Sequence, residues 1–137
     1  MAEGAARLDW KRFHGPAVLL LAAFALVMGT SDARAFSVSF LWCSDPGSPN
    51  FTLTDVPPGT VTLQFQMVDL DRPSFHHGGG TVGYRGQPEV PCGAFATGYV
   101  GPSPPPGEIH TYQFTVKAMA PDGAVLATTT ARRRFPE

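Results

Sequence analysis

From residue 36 onward, apolar and polar residues alternate with a period of two. Phe36, Val38, Phe40 and Trp42 share one face, Leu63, Phe65 and Met67 share a second, and Tyr112, Phe114, Val116 and Ala118 share a third. That period belongs to strands, because successive side chains leave an extended backbone on opposite sides. Residues 124–130 (AVLATTT) read as a last strand. The stretches between carry turn chemistry: DPGSP at 45–49, VPPG at 56–59, GPSPPPG at 101–107 and PDG at 121–123. No amphipathic helix fits this region, which holds all but one of the chain's 14 prolines, each costing about 3 kcal/mol inside a helix. The pattern therefore predicts an all-β fold, an antiparallel β-sandwich or partly open barrel with Greek-key-like connections.

The first segment obeys a different rule. Lys11, Arg12 and His14 precede an apolar run at 17–28, and Ala33, Arg34 and Ala35 form a small-x-small cleavage site. The run falls short of the roughly 20 residues that span a bilayer. Residues 1–35 are thus predicted to be a signal peptide and residues 36–137 one exported domain, periplasmic or secreted, without stable membrane insertion after cleavage. An uncleaved N-terminal anchor is the alternative. Export changes the reading of Cys43 and Cys92, which are expected to pair as a disulfide; two buried thiols or a soft-metal site are the other options. The formal net charge of −1 argues against nucleic acid as a partner. The basic cluster Arg132, Arg133 and Arg134 reads as a solvated tail, with contact to an anionic surface as its alternative.

Candidate chemistry concentrates in DLDRPSFHHGGG, residues 69–80. Asp69 and Asp71 end a strand two positions apart, and His110 and Tyr112 begin another with the same spacing. Each pair can face one concavity if the strands are neighbours, with His76 and His77 approaching from the intervening loop. Gly78, Gly79 and Gly80 read as a tight turn, or as a nest of backbone N–H groups for an anionic oxygen. Two histidines with Asp69 form a metal-type donor set, but neither a helical His-x-x-x-His pair nor a Cys-x-x-Cys pair accompanies them. An esterase reading of HGGG lacks the Gly-x-Ser-x-Gly elbow that supplies its nucleophile. No catalytic residue, resident metal or cofactor is assigned.

Several separated motifs then agree in order: Ser48-Pro49-x-Phe51-Thr52-Leu53, the VPPGT of 56–60, Asp69-x-Asp71-x-Pro73, His77, Gly101-Pro102 and Gly107-x-x-His110-x-Tyr112. In these residues the chain resembles the phosphatidylethanolamine-binding protein family, also called Raf kinase inhibitor-like proteins. The resemblance implies a β-sandwich with a small anion pocket at one end. It implies that Asp69, His77, Gly101, Pro102, His110 and Tyr112 line that pocket, with Asp71, Pro73 and His76 shaping its wall. The chain departs from the pattern at Leu70, at Thr111 where an arginine is usual, and at the glycine run after His77. Arg72 and Arg85 are candidate substitutes for that arginine. The C-terminal helix of many relatives has no counterpart in the sequence.

The expected function is non-enzymatic binding of a small anionic, phosphate-bearing ligand. Asp69 would raise the proton affinity of His77 or His110, and the imidazolium, the Tyr112 hydroxyl and backbone N–H groups would hold the anion. A protein-interaction module inhibiting a protease or kinase-like partner is the second expectation, and a metal-dependent enzyme the third.

Overall fold

A computed structural model describes residues 34–137. Residues 1–33, most of the predicted signal peptide, lie outside the described residues. Seven strands follow: β1 (Ser37–Leu41), β2 (Asn50–Thr54), β3 (Thr62–Asp69), β4 (His76–Gly83), β5 (Glu89–Val90), β6 (His110–Met119) and β7 (Val125–Phe135). They form two antiparallel sheets, one ordered β1-β2-β5 and the other β4-β3-β6-β7. The chain leaves β4 at an edge, crosses to the first sheet as β5 and returns as β6 beside β3.

The alternating residues meet between the sheets. Leu63, Phe65 and Met67 of β3 and Tyr112, Phe114, Val116 and Ala118 of β6 are all buried, facing Phe40 and Phe51 of the three-stranded sheet. Phe51 lies 4.6 Å from Phe65 and 4.9 Å from Phe114 between ring centroids, spacings at which aromatic pairs add to simple area burial. A disulfide between Cys43 and Cys92 ties the segment after β1 to the loop after β5.

Two expectations are corrected. The C-terminal arginines are not a solvated tail, because β7 runs through Phe135 with Arg132, Arg133 and Arg134 opposite Gln113, Tyr112 and Thr111. The charged ends of Arg132 and Arg133 and the backbone carbonyl of Arg134 find partners while the strand ladder continues. Arg132 donates to Gln113 Oε1 at 2.6 Å, Arg133 donates to the Phe40 carbonyl at 3.2 Å and pairs with Glu137, and Trp42 Nε1 donates to the Arg134 carbonyl at 2.7 Å. Backbone pairing thus extends the strand while Arg132 and Arg134 keep their side chains exposed to water.

The glycines at 78–80 are neither a tight turn nor an open nest; they belong to strand β4. A Cβ at Gly79 would stand 1.8 Å from the Phe65 carbonyl oxygen, and one at Gly80 would meet the Phe95 ring at 2.5 Å. The glycines therefore serve close approach of backbone and ring. Gly78, at φ +68°, has a further task, since it and His77 stand together opposite the single residue Met67 in a β-bulge.

Candidate functional site

The same inner face that carries the core ends in polar residues where β3 stops and β6 starts. Asp69 is the Cα partner of Tyr112 across the β3–β6 ladder, so His110 sits diagonally from it. Diagonal neighbours remain within reach of long side chains, and His110 Nδ1 contacts Asp69 Oδ2 at 2.7 Å. The β4 bulge turns His77 inward while His76 stays exposed. Asp69, His77 and His110 are 3%, 1% and 4% exposed. All three line one cavity of about 250 Å³, with Arg72, Ser74, Phe75, Ser103 and Pro105.

Asp69 is fully committed. Its Oδ1 accepts from the backbone N–H of Asp71 at 2.9 Å and of Arg72 at 3.0 Å, and its Oδ2 from His110. Burial alone would raise its pKa, but the His110 hydrogen bond and the two N–H donors outweigh it and hold the carboxyl below its ordinary value. His110 is bounded on both sides, since Nε2 lies 2.8 Å from Glu108 Oε2. Ionised carboxylates only accept, so with both acids ionised both ring nitrogens donate and the ring is an imidazolium. The hydrogen bond to Asp69 first, then that to Glu108, raises its pKa against the opposing effect of burial.

His77 is held differently. Its Nδ1 lies 2.9 Å from the Val100 carbonyl oxygen. A carbonyl only accepts, so Nδ1 carries the proton and Nε2 has no hydrogen-bond partner among the described residues. The ring packs 4.6 Å from Phe75 and 5.3 Å edge-on to Tyr112. Tyr112 itself is wholly buried beneath the cavity and does not line it. Among the described residues its hydroxyl makes no hydrogen bond of good geometry. Burial, then the Asp69 charge, pushes its pKa up to about 12.

Other expected residues lie elsewhere. Gly101 and Pro102 line a neighbouring cavity of about 370 Å³, with Trp42, Cys43, Asp45 and Phe135. The loop 101–105 thus borders both spaces, giving Gly101 and Pro102 to one and Ser103 and Pro105 to the other. Asp71 is exposed and ties the sheet end together, its Oδ2 accepting from the Thr111 N–H at 2.6 Å. Pro73 and His76 are exposed and do not line the cavity with His110. Of the two candidate substitutes for the missing arginine, Arg72 lines that cavity and makes no ion pair among the described residues; Arg85 follows β4 at the far end of the strand. Sequence reasoning did not assign Ser74, Phe75, Ser103, Pro105 or Glu108 to the site. Glu108 carried a usable signal, because a carboxylate two positions before a strand-opening histidine can reach the same side as that histidine.

A metal reading meets an obstacle here. Ligand-type atoms of Asp69, Asp71 and His110 lie within 4.8 Å of one another. Both Asp69 oxygens, Asp71 Oδ2 and both His110 nitrogens are already hydrogen-bonded. A cation would have to displace protons from His110 and strip those bonds.

No family model matches the sequence, and no curated protein matches it. Solved structures do. YbcL of E. coli, described as a new member of the mammalian PEBP family, superposes with a TM-score of 0.56 at 18% identity, over 74% of this chain and 98% of that one. A protein from Chlamydia trachomatis described as a putative phosphatidylethanolamine-binding protein (PEBP) homologue superposes at 0.53 and 21% identity, over 66% of this chain and 82% of that one. This chain has the PEBP fold. The all-β expectation and the likeness read from the separated motifs therefore agree with the three-dimensional comparison. In this PEBP-like sandwich the titratable cluster sits at one end of the larger sheet.

Proposed function

We propose that the chain is an exported member of the PEBP family that binds a small phosphate-bearing anion, without covalent chemistry, in the cavity lined by Asp69, Arg72, His77 and His110. The observation that carries this reading is the buried His110 in contact with Asp69, in one cavity with Arg72, which makes no ion pair among the described residues, and with His77, whose Nε2 has no hydrogen-bond partner among them. A carboxylate and a phosphate 4 Å apart repel by about 4 kcal/mol at an effective dielectric of 20, so Asp69 alone would exclude the ligand. Its charge is instead matched by the imidazolium, and Arg72 is a second cation available to the anion. A cavity of about 250 Å³ suits a phosphate or a small phosphomonoester.

Export is supported by the Cys43–Cys92 disulfide, which persists in oxidising compartments. Among the described residues no helix is long and apolar enough to cross a membrane. A second reading, docking of a protein partner on the same rim, draws on the exposed Leu70, Phe75, Val100 and Ile109.

Calorimetry with inorganic phosphate tests the first reading. Because the His110 pKa is raised, its positive charge predominates at pH 6 and declines as pH rises through the folded-state value. Affinity is expected to be higher at pH 6 than in strongly alkaline buffer and to be lost in His110→Ala. Equal affinity across that range would remove the imidazolium from the account. A protein partner that still binds the Asp69→Ala/His110→Ala double variant would favour rim docking, and elemental analysis of protein purified without chelator tests for a metal-dependent role.

A further inference from the structure

The contact between Glu108 and His110 has a consequence for which anions this cavity accepts. Asp69 uses the inner nitrogen of the imidazolium, so Nε2 is the N–H left for an incoming anion. Glu108 already occupies it at 2.8 Å. The two partners differ in how they are held, since Asp69 is buried and accepts three hydrogen bonds whereas the Glu108 side chain is 51% exposed and makes no other hydrogen bond among the described residues. Glu108 follows Gly107, at φ +84°, in the loop that enters β6, and its chain of single bonds can swing outward without disturbing the sheet.

We infer that Glu108 is a selectivity residue, a half-exposed carboxylate that holds the outer N–H of His110 beside the cavity and admits only ligands able to outcompete it for that N–H. This rests on the phosphate-binding reading above. Glu108 is tethered two residues from His110, so it competes at an effective concentration in the millimolar range or higher. A free monocarboxylate offers His110 the same hydrogen bond and gains nothing over it. A phosphomonoester carries more charge and three acceptor oxygens, enough to engage Nε2 of His110 together with Arg72. The groups facing His110 are Asp69 from the end of β3, Asp71 and Arg72 from the turn after it, His77 from β4, Glu108 before its own strand and Tyr112 beside it on β6. Of these, Glu108 is the exposed carboxylate in direct contact with Nε2. Its removal leaves the imidazolium supported by Asp69.

The test compares inorganic phosphate and acetate against wild type, Glu108→Gln and Glu108→Asp at about pH 7.5, where inorganic phosphate is mainly the dianion, by calorimetry and by the imidazole nitrogen resonances of His110. Glu108→Gln is expected to bind phosphate roughly tenfold more tightly, the ratio that one competing charge-assisted hydrogen bond represents. It should also acquire measurable acetate binding, so that the discrimination between the two anions shrinks. Glu108→Asp, which keeps the charge on a shorter stem, should restore part of the discrimination. The His110 titration midpoint should fall in Glu108→Gln, which reports loss of the contact independently of any ligand. Unchanged phosphate and acetate affinities in Glu108→Gln, beside measurable phosphate binding in wild type, would overturn the selectivity role and leave the phosphate site standing. If neither protein binds phosphate although the titration midpoint falls, both readings are overturned.

Discussion

The two ends of the four-stranded sheet are built on one inner face and do different work. Towards the start of β3 and the end of β6 that face presents Leu63, Phe65, Val116 and Ala118, all buried and apolar. Towards the other end the same alternation delivers Asp69, His110 and, through the β4 bulge, His77. Strand geometry makes no distinction between these positions. Residue chemistry does, because a buried carboxylate or imidazole is tolerable only where a partner of opposite charge or a backbone dipole satisfies it. A core can thus pass into a site without any change of architecture, provided the polar residues arrive in mutually satisfying pairs.

Damage to one end, read at the other, tests whether core and site are independent. Phe114→Ala removes a wholly buried ring at the centre of the aromatic cluster and should cost about 3–5 kcal/mol in chemical denaturation. His110 should titrate as before in whatever fraction remains folded; a shifted midpoint would show that core and site are one unit. The Cys43→Ser/Cys92→Ser pair opens a covalent loop with a sequence separation of 49 and should cost roughly 2–5 kcal/mol, while the larger cavity beside Cys43 loses its wall and the His110 cavity keeps its lining. Gly79→Ala drives a methyl into the Phe65 carbonyl and should cost about 1–3 kcal/mol, with loss of hydrogen-exchange protection along β4.

The most informative variant is Asp69→Asn, because its effect depends on pH. With its pKa lowered, ionised Asp69 contributes stability above its ordinary value of 3.8 and loses it as pH falls through the lowered folded value. His110, with its pKa raised, contributes fully below its ordinary value of 6.5 and loses that contribution as pH rises through the raised folded value. The wild-type melting temperature should therefore be highest between those two limits. Asp69→Asn should erase the acid limb that Asp69 contributes and lower the His110 midpoint. A melting profile identical to wild type would show that this pair adds nothing to the fold.

Much of the larger sheet was legible from the chain because period two is a local property. Leu63 through Met67 and Tyr112 through Ala118 announce their shared face regardless of what they pack against. The glycine run was not legible as β4, since the approach of Phe65 and Phe95 that requires glycine involves residues distant in sequence. The arginines at 132–134 looked like a tail for the same reason: their partners are Gln113 and Phe40, and a charged triplet carries no sign of them. Within the cluster, the nearness of Asp69 and His110 could be anticipated from two spacings of two. The division of the proline-rich loop between two cavities could not, and it placed Gly101 and Pro102 away from His110.

By itself, the sequence determined the strand periodicity, the absence of helix-forming segments from residue 36 on, the pool of titratable groups and the two cysteines. These depend on neighbours along the backbone. The tertiary structure decided that β3 lies beside β6, that a bulge aims His77 inward, that Arg72 stands at the cavity and that Glu108 meets His110. Such outcomes depend on register and strand order, which bring residues dozens of positions apart within hydrogen-bonding distance, and a local pattern contains no information about either.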